Sequence, residues 1–267
     1  MKKIITTILI AIFILSGPQI ICYNQDDFEK AEKGETSLSC ADLSYADLFC
    51  VYLSFANLKS AHLQHSHLRC TRFFGANLSE ANISEADLFK ANLENATIKN
   101  ANLKNVNAQK ADFSNAILYQ TNLSFSNLYA CQMYKTDLRE TNLNNTNLTA
   151  AVLIQANLRN SNLTNANLSW TYLKGCRLLG AIVKDANFAH AKGLNNLQKA
   201  YLRENGALNV PIDIEYDNDD SGVGTEVKKV RFHKKLFRRF IRFYRWIKEL
   251  DKNAEVQVVE EDFIFKS

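Results

Sequence analysis

Glycine is sparse in this chain, nine residues in 267, and nowhere does it cluster into the loop that cradles a nucleotide's phosphates. No Cys-x-x-Cys pair occurs, and no serine sits in a Gly-x-Ser-x-Gly elbow, so two common signatures of redox, metal and hydrolase chemistry are missing. Carboxylates are scattered, with no nucleophile and base beside them. The residues therefore point away from an enzyme: no catalytic, cofactor-binding or metal-ligating set emerges, and no cofactor is expected. Apolar runs are short too. The N-terminal one, Ile4 to Leu15, has 12 residues, well below the ~20 of a membrane-spanning helix.

What is present instead is a period of five. From Leu43 to Phe188 every fifth residue is apolar, giving 30 centres: 22 Leu, seven Phe, Ile, Val or Met, and Ala108. Two residues before each centre the side chain is small, 17 Ala and 13 Ser, Thr, Cys or Val, and the residue between is Asn or Asp in 19 of 30 cases. Helices repeat their apolar face every 3.6 residues and strands every two, so neither explains a strict five. An unbroken period over about 150 residues marks a solenoid, whose units bury their apolar faces only by stacking. Leu and the small residue are read as inward, with Asn and Asp suiting a corner after each side.

The run Ala156, Asn157, Leu158, Arg159, Asn160 and its repeats resemble the A-(D/N)-L-x-x signature of the pentapeptide-repeat proteins, over residues 41 to 190. The resemblance implies an all-β solenoid: a right-handed quadrilateral β-helix, four pentapeptides to a coil, with C-terminal helical additions. Thirty repeats would make 7.5 coils, a stack about 36 Å long at roughly 4.8 Å per coil. It also implies that residues 193–208, with Leu194, Leu197, Tyr201 and Leu202, form a helix closing the last coil, where open edges need covering.

The flanks do not keep the period. Residues 1–22 begin Met-Lys-Lys, continue with the apolar stretch and end near Ser16-Gly17-Pro18, the layout of a secretory signal peptide. Export to the periplasm or medium is the expectation, with an uncleaved N-terminal membrane anchor or lipidation at Cys22 as alternatives. Residues 23–37 are read as an N-terminal cap, 38–192 as the β-helix and 209–227 as an acidic linker. Within that linker Asp217-x-Asp219-x-Ser221-Gly222 opens like a calcium loop, but Lys228 stands where the bidentate Glu belongs. Residues 228–252 hold 11 Lys or Arg against Glu249 and Asp251, with six aromatics interleaved, and 253–267 form a tail. Phe240, Phe243, Tyr244 and Ile247 recur at helical spacing, opposite Lys235, Arg238, Arg239, Arg242 and Arg245. This is a basic amphipathic helix. Lys235, Arg238, Arg239, Arg242, Arg245, Phe240, Phe243 and Trp246 are its candidate contacts, either with an anionic membrane surface or with a protein partner or the repeats themselves. Nucleic acid fits an exported protein poorly.

Several positions stand out within the period. Cys131 and Cys176 fall on small inward positions and read as core. Cys50 and Cys70 lie 20 residues apart, one full coil under the family geometry, and are a disulfide candidate. His62, His65 and His67 are outward and too differently directed to be more than a weak metal site. Twenty-residue spacing stacks Lys99, Tyr119, Arg139 and Arg159 as a basic strip and Asn82, Asn102, Asn122, Asn142 and Asn162 as an amide ladder. Asn144 is read as freely outward. Two functions follow: a non-catalytic exported scaffold or interaction protein, membrane-tethered by its basic helix, or, as the resemblance implies, a DNA mimic that binds topoisomerases. Residues 36–192 carry 14 Lys or Arg and 10 Asp or Glu, a net of +4, which opposes mimicry of an acidic duplex.

Overall fold

The computed structural model describes residues 23–212. Segment 1–22, the basic segment 228–252 with all its candidate contacts, most of the linker and the tail lie outside the described residues.

Closure of the coil follows from one repeated turn. At nearly every centre the carbonyl accepts from the amide three residues on, as in Ala46 N–H to Leu43 C=O at 3.2 Å, whereas the Val106 amide donates to Ser126 Oγ at 3.2 Å. Every fifth residue from Cys40 to His190 has φ between +55° and +75°, while the residue before it does not, which is the type II pattern. Four such corners bring the chain round in 20 residues. Parallel bridges then pair each residue before a centre with its counterpart one coil on, Asp42 with His62, His62 with Asn82, and so on up to Tyr172 with Lys192. Among the described residues each side contributes one isolated bridge rather than an extended strand, because a corner interrupts after three residues.

Backbone hydrogen bonds tie coil to coil at three points per side: Leu43 N–H to His62 C=O (2.7 Å), Tyr45 N–H to Gln64 C=O (2.9 Å) and His62 N–H to Ala41 C=O (2.9 Å). Inside, all 30 centres are at most 3% exposed, and of the small positions all but the half-buried Val51 are buried. Small residues let the four walls approach, and Leu fills the axis. Where the small residue is polar, its hydroxyl is satisfied by the wall itself: Thr121 Oγ1 donates to Ile98 C=O (2.6 Å) and Thr146 Oγ1 to Leu123 C=O (3.0 Å). Cys131 Sγ follows the same rule toward Ala108 C=O at 2.8 Å. Burial pushes the Cys131 and Cys176 thiols up, the latter to about 12, so both are inert core fillers.

Some Asn do stand at left-handed corners, such as Asn95, Asn100 and Asn145, but the Asn and Asp that precede the centres do not. They sit on the flat sides, and their Oδ1 reaches forward to the corner's amide, as in Asn122 Oδ1 accepting from Ser124 N–H (3.1 Å) and Oγ (2.8 Å). The expected amide ladder is present from Asn142 through Asn122 and Asn102 to Asn82, at 3.3, 3.4 and 3.1 Å. A second column carries Asn107 to Asp87 (2.9 Å), Asn147 to Asn127 (3.1 Å) and Asn187 to Asn167 (3.3 Å). Asn144, read as freely outward, is half-buried and its Oδ1 is shielded from solvent.

Both ends are covered. Helix α1, Gln25–Glu32, is capped by Asn24 Oδ1, which accepts from Asp26 and Asp27 N–H. Its Asp27 Oδ2 takes the Asp42 amide at 3.0 Å, Ala31 is fully buried, and Tyr23 and Phe28 pack on the core. At the other end Asn195 and Gln198 form a capping box for α2, Asn196–Glu204. Gln198 Nε2 donates to Cys176 C=O (2.7 Å), Tyr201 Oη to Ala181 C=O (2.9 Å), and Leu202 is fully buried. The chain then rejoins the stack, Leu208 pairing with Asn187, and Asn209 Nδ2 extends the second amide column to Asn187 Oδ1 at 2.9 Å.

Two stability outcomes follow. Leu143→Asp would place an unpaired charge on the axis and lower unfolding free energy by about 4 kcal/mol or more, whereas Asn145→Asp, which keeps the acceptor for Asn165 Nδ2, should stay within about 0.5 kcal/mol. Equal losses in urea denaturation would refute the inward assignment. At the exposed corner residue Lys110 (φ +58°), Lys110→Val should lose about 1–2 kcal/mol and lower the melting temperature, whereas Lys110→Gly should leave it unchanged or raise it.

Candidate interaction surface

The filled interior leaves chemistry only to the outside. One open groove on the outer wall is lined by Lys135, Gln155, Asn157, Gly175 and Arg177, with Gly175 leaving a gap in a corner column. No group of three or more His, Cys, Asp or Glu among the described residues is placed to hold a metal ion. His62, His65 and His67 do not converge: His65 stacks on Tyr45 (4.6 Å between rings) and pairs with Glu85 at 3.3 Å.

The most unusual outer feature lies on the first coils. Tyr45, Phe49, Tyr52 and Phe55 are 53%, 59%, 61% and 68% exposed, all within 11 residues of chain. Tyr45, Phe49 and Phe55 stand at three successive corners, and Tyr52 on the side between the last two, so the rings form a collar round half of one coil. Inward positions are taken by Leu and Ala, which is why every aromatic off the centres is forced outward. The next coil braces the collar. The Arg72 guanidinium lies 4.5 Å over the Tyr52 ring, and Phe74 meets Phe55 edge-on at 5.4 Å. Gly75 makes room for Phe55, since a Cβ there would come within 2.8 Å of the ring. Sequence reading passed over these residues because it followed the centres; four aromatics in non-centre positions of one coil was the available signal.

The basic strip is less basic than its spacing suggested. Arg139 is held by Asp137 through three side-chain hydrogen bonds, Nε to Oδ1 at 2.9 Å and to Oδ2 at 3.2 Å and Nη2 to Oδ2 at 2.7 Å, and its guanidinium lies over Tyr119. Tyr119 Oη donates to Glu140 at 3.2 Å, so two carboxylates sit in the strip. Burial alone would raise the Asp137 pKa, but the Arg139 hydrogen bonds outweigh it and hold the carboxyl below its ordinary range. The disulfide candidates Cys50 and Cys70 occupy the same corner in adjacent coils as free thiols.

The repeat register finds its match among known families. A family model described as pentapeptide repeats, eight copies, matches overlapping stretches that run from residue 56 to residue 180. The chain belongs to the pentapeptide-repeat family. Proteins of this family fold as right-handed quadrilateral β-helices, the architecture that a 20-residue bridge register with four corners describes. Among solved structures, this pentapeptide-repeat protein is 30% identical to HetL of the cyanobacterium Nostoc, a protein involved in regulating heterocyst differentiation, over 57% of this chain and 74% of HetL, with a TM-score of 0.33. Rfr23 from the cyanobacterium Cyanothece is 41% identical over 34% of this chain and 58% of that protein, with a TM-score of 0.30. Full-length QnrB1, a plasmid-mediated fluoroquinolone resistance protein, is 17% identical over 57% and 85%, with a TM-score of 0.29. No curated protein matches the chain.

The Arg139–Asp137 pair gives a pH signature. Because the folded Asp137 pKa lies below its unfolded value, the pair stabilises above about pH 4 and the contribution fades as pH falls through the folded value. Arg139→Gln should therefore lower stability by about 0.5 kcal/mol at pH 7, with the difference from the parent closing in urea titrations as pH falls through the folded Asp137 value.

Proposed function

We propose that this pentapeptide-repeat protein is a non-catalytic interaction scaffold, exported from the cytoplasm and held at an anionic membrane surface by its basic segment 228–252. The observation that carries the scaffold reading is the contrast between a fully packed axis and the exposed collar of Tyr45, Phe49, Tyr52 and Phe55. A coil stack with nothing enclosed offers partners its outer walls, and exposed aromatics are the side chains that dominate protein interfaces. Export rests on the signal-like N-terminus. Tethering rests on the charge and aromatic pattern of residues 228–252, net +9, which suits the headgroup layer of an acidic leaflet. The DNA-mimic role known in the family is disfavoured by the net +4 of residues 36–192.

Sedimentation of the full chain with phosphatidylserine-containing vesicles tests the tether. Binding should weaken as salt rises from 50 to 500 mM, vanish when residues 228–252 are deleted, and be absent with phosphatidylcholine alone. Failure of the intact chain to sediment would retire the membrane role. N-terminal sequencing of the fractionated protein tests export separately.

A further inference from the structure

Cys50 and Cys70 are not placed like the other described cysteines. Cys131 and Cys176 point into the axis, and Cys40 stands at another corner, stacked under Ser60. Cys50 and Cys70 share one corner in successive coils, with nearly identical left-handed backbones (φ +58° and +57°), so their side chains leave the wall in parallel. The register is fixed by Cys50 N–H to Arg69 C=O at 2.9 Å and Cys70 N–H to Phe89 C=O at 3.0 Å. Cys50 is exposed and Cys70 half-buried, and both carry free thiols. The sulfurs sense each other: the Cys50 pKa is raised, first by desolvation and then by the Cys70 thiol, with the Arg72 charge opposing the rise.

We propose that Cys50 and Cys70 are a covalent modification site, forming a reducible cross-coil disulfide by exchange with a small-molecule disulfide such as oxidised glutathione. One thiol loses its proton to solvent, and its sulfur attacks the oxidant's S–S bond, which breaks and releases one glutathione thiolate. The neighbouring thiolate then attacks the protein sulfur of that mixed disulfide and displaces the second glutathione. Two protein thiols are oxidised by two electrons, and one external disulfide is reduced to two thiols. Coil spacing of about 4.8 Å lies inside the Cα range of disulfides but just above the usual Cβ range of about 3.5–4.5 Å. Closing the bond must draw the two corners together by a few tenths of an ångström. Such a bridge is more easily reduced than an unstrained one. It joins the coil bearing the aromatic collar to the coil that braces it, and it does not depend on export or on membrane tethering.

The test uses the full chain, reduced, desalted and then equilibrated in oxidised and reduced glutathione at set ratios before alkylation and peptide mass spectrometry. The Cys50 and Cys70 peptides should appear joined, two hydrogens lighter, with formation faster as pH rises from 7 to 9 and reversal by excess reduced glutathione. Cys131 and Cys176 should become alkylated only after denaturation, Cys40→Ser should bridge like the parent, and Cys50→Ser should leave Cys70 as a glutathione mixed disulfide. Stable glutathione adducts on both Cys50 and Cys70 without a cross-link would overturn the proposal. So would a bridge that joins two chains or involves Cys40.

Discussion

The closure constraint governs this molecule: four five-residue sides must return the chain to a point directly above where it began, 20 residues earlier. Everything else is arranged to keep that register. A left-handed residue at each corner turns the chain, the turn carbonyl takes the amide three residues on, and every side then donates to and accepts from the coils above and below. Left-handed backbone is unfavourable for residues other than Gly, by roughly 1–2 kcal/mol each. Only Gly75, Gly175 and Gly180 avoid that cost at corners, so most corners are maintained by the hydrogen bonds and the buried Leu column rather than by local preference.

Identical positions therefore stack on identical positions, and side-chain chemistry becomes columnar. Leu columns fill the axis; amide columns run outside, each Asn spending one oxygen on its own corner and its nitrogen on the coil before. The same rule sets the outer surface. Arg72 over Tyr52 and His65 over Tyr45 are column neighbours, not long-range encounters. Charge on such a wall is local: Arg139 at its corner is answered by Asp137 two residues earlier on the side, which a count along the column could not reveal.

The fold was legible because the five-residue period is incompatible with helix and strand alike, and the inward set follows from it residue by residue. The corners were harder to read. The Asn and Asp before the centres look like corner residues yet occupy the side, where an amide serves two partners at once, while Asn also fills seven of the corners themselves. The true corner signature is an exclusion: none of the residues from Cys40 to His190 at five-residue steps is Val, Ile or Thr, the side chains that tolerate left-handed backbone least. Of the candidate surface, the stacked cysteines were visible from spacing, whereas the aromatic collar was not, because exposure at non-centre positions depends on which wall each corner faces. Asn144 failed as a freely outward residue for a similar reason, since side chains packed along a wall shield one another.

Helices α1 and α2 do more than finish the ends. Each coil presents to the next the same backbone groups and the same Leu and Ala columns, so an uncovered last coil is a template for another chain's first coil. Such an addition is head-to-tail and has no geometric reason to close into a ring. The two caps thus stand where coil-on-coil growth would otherwise start, at the first and the last coil.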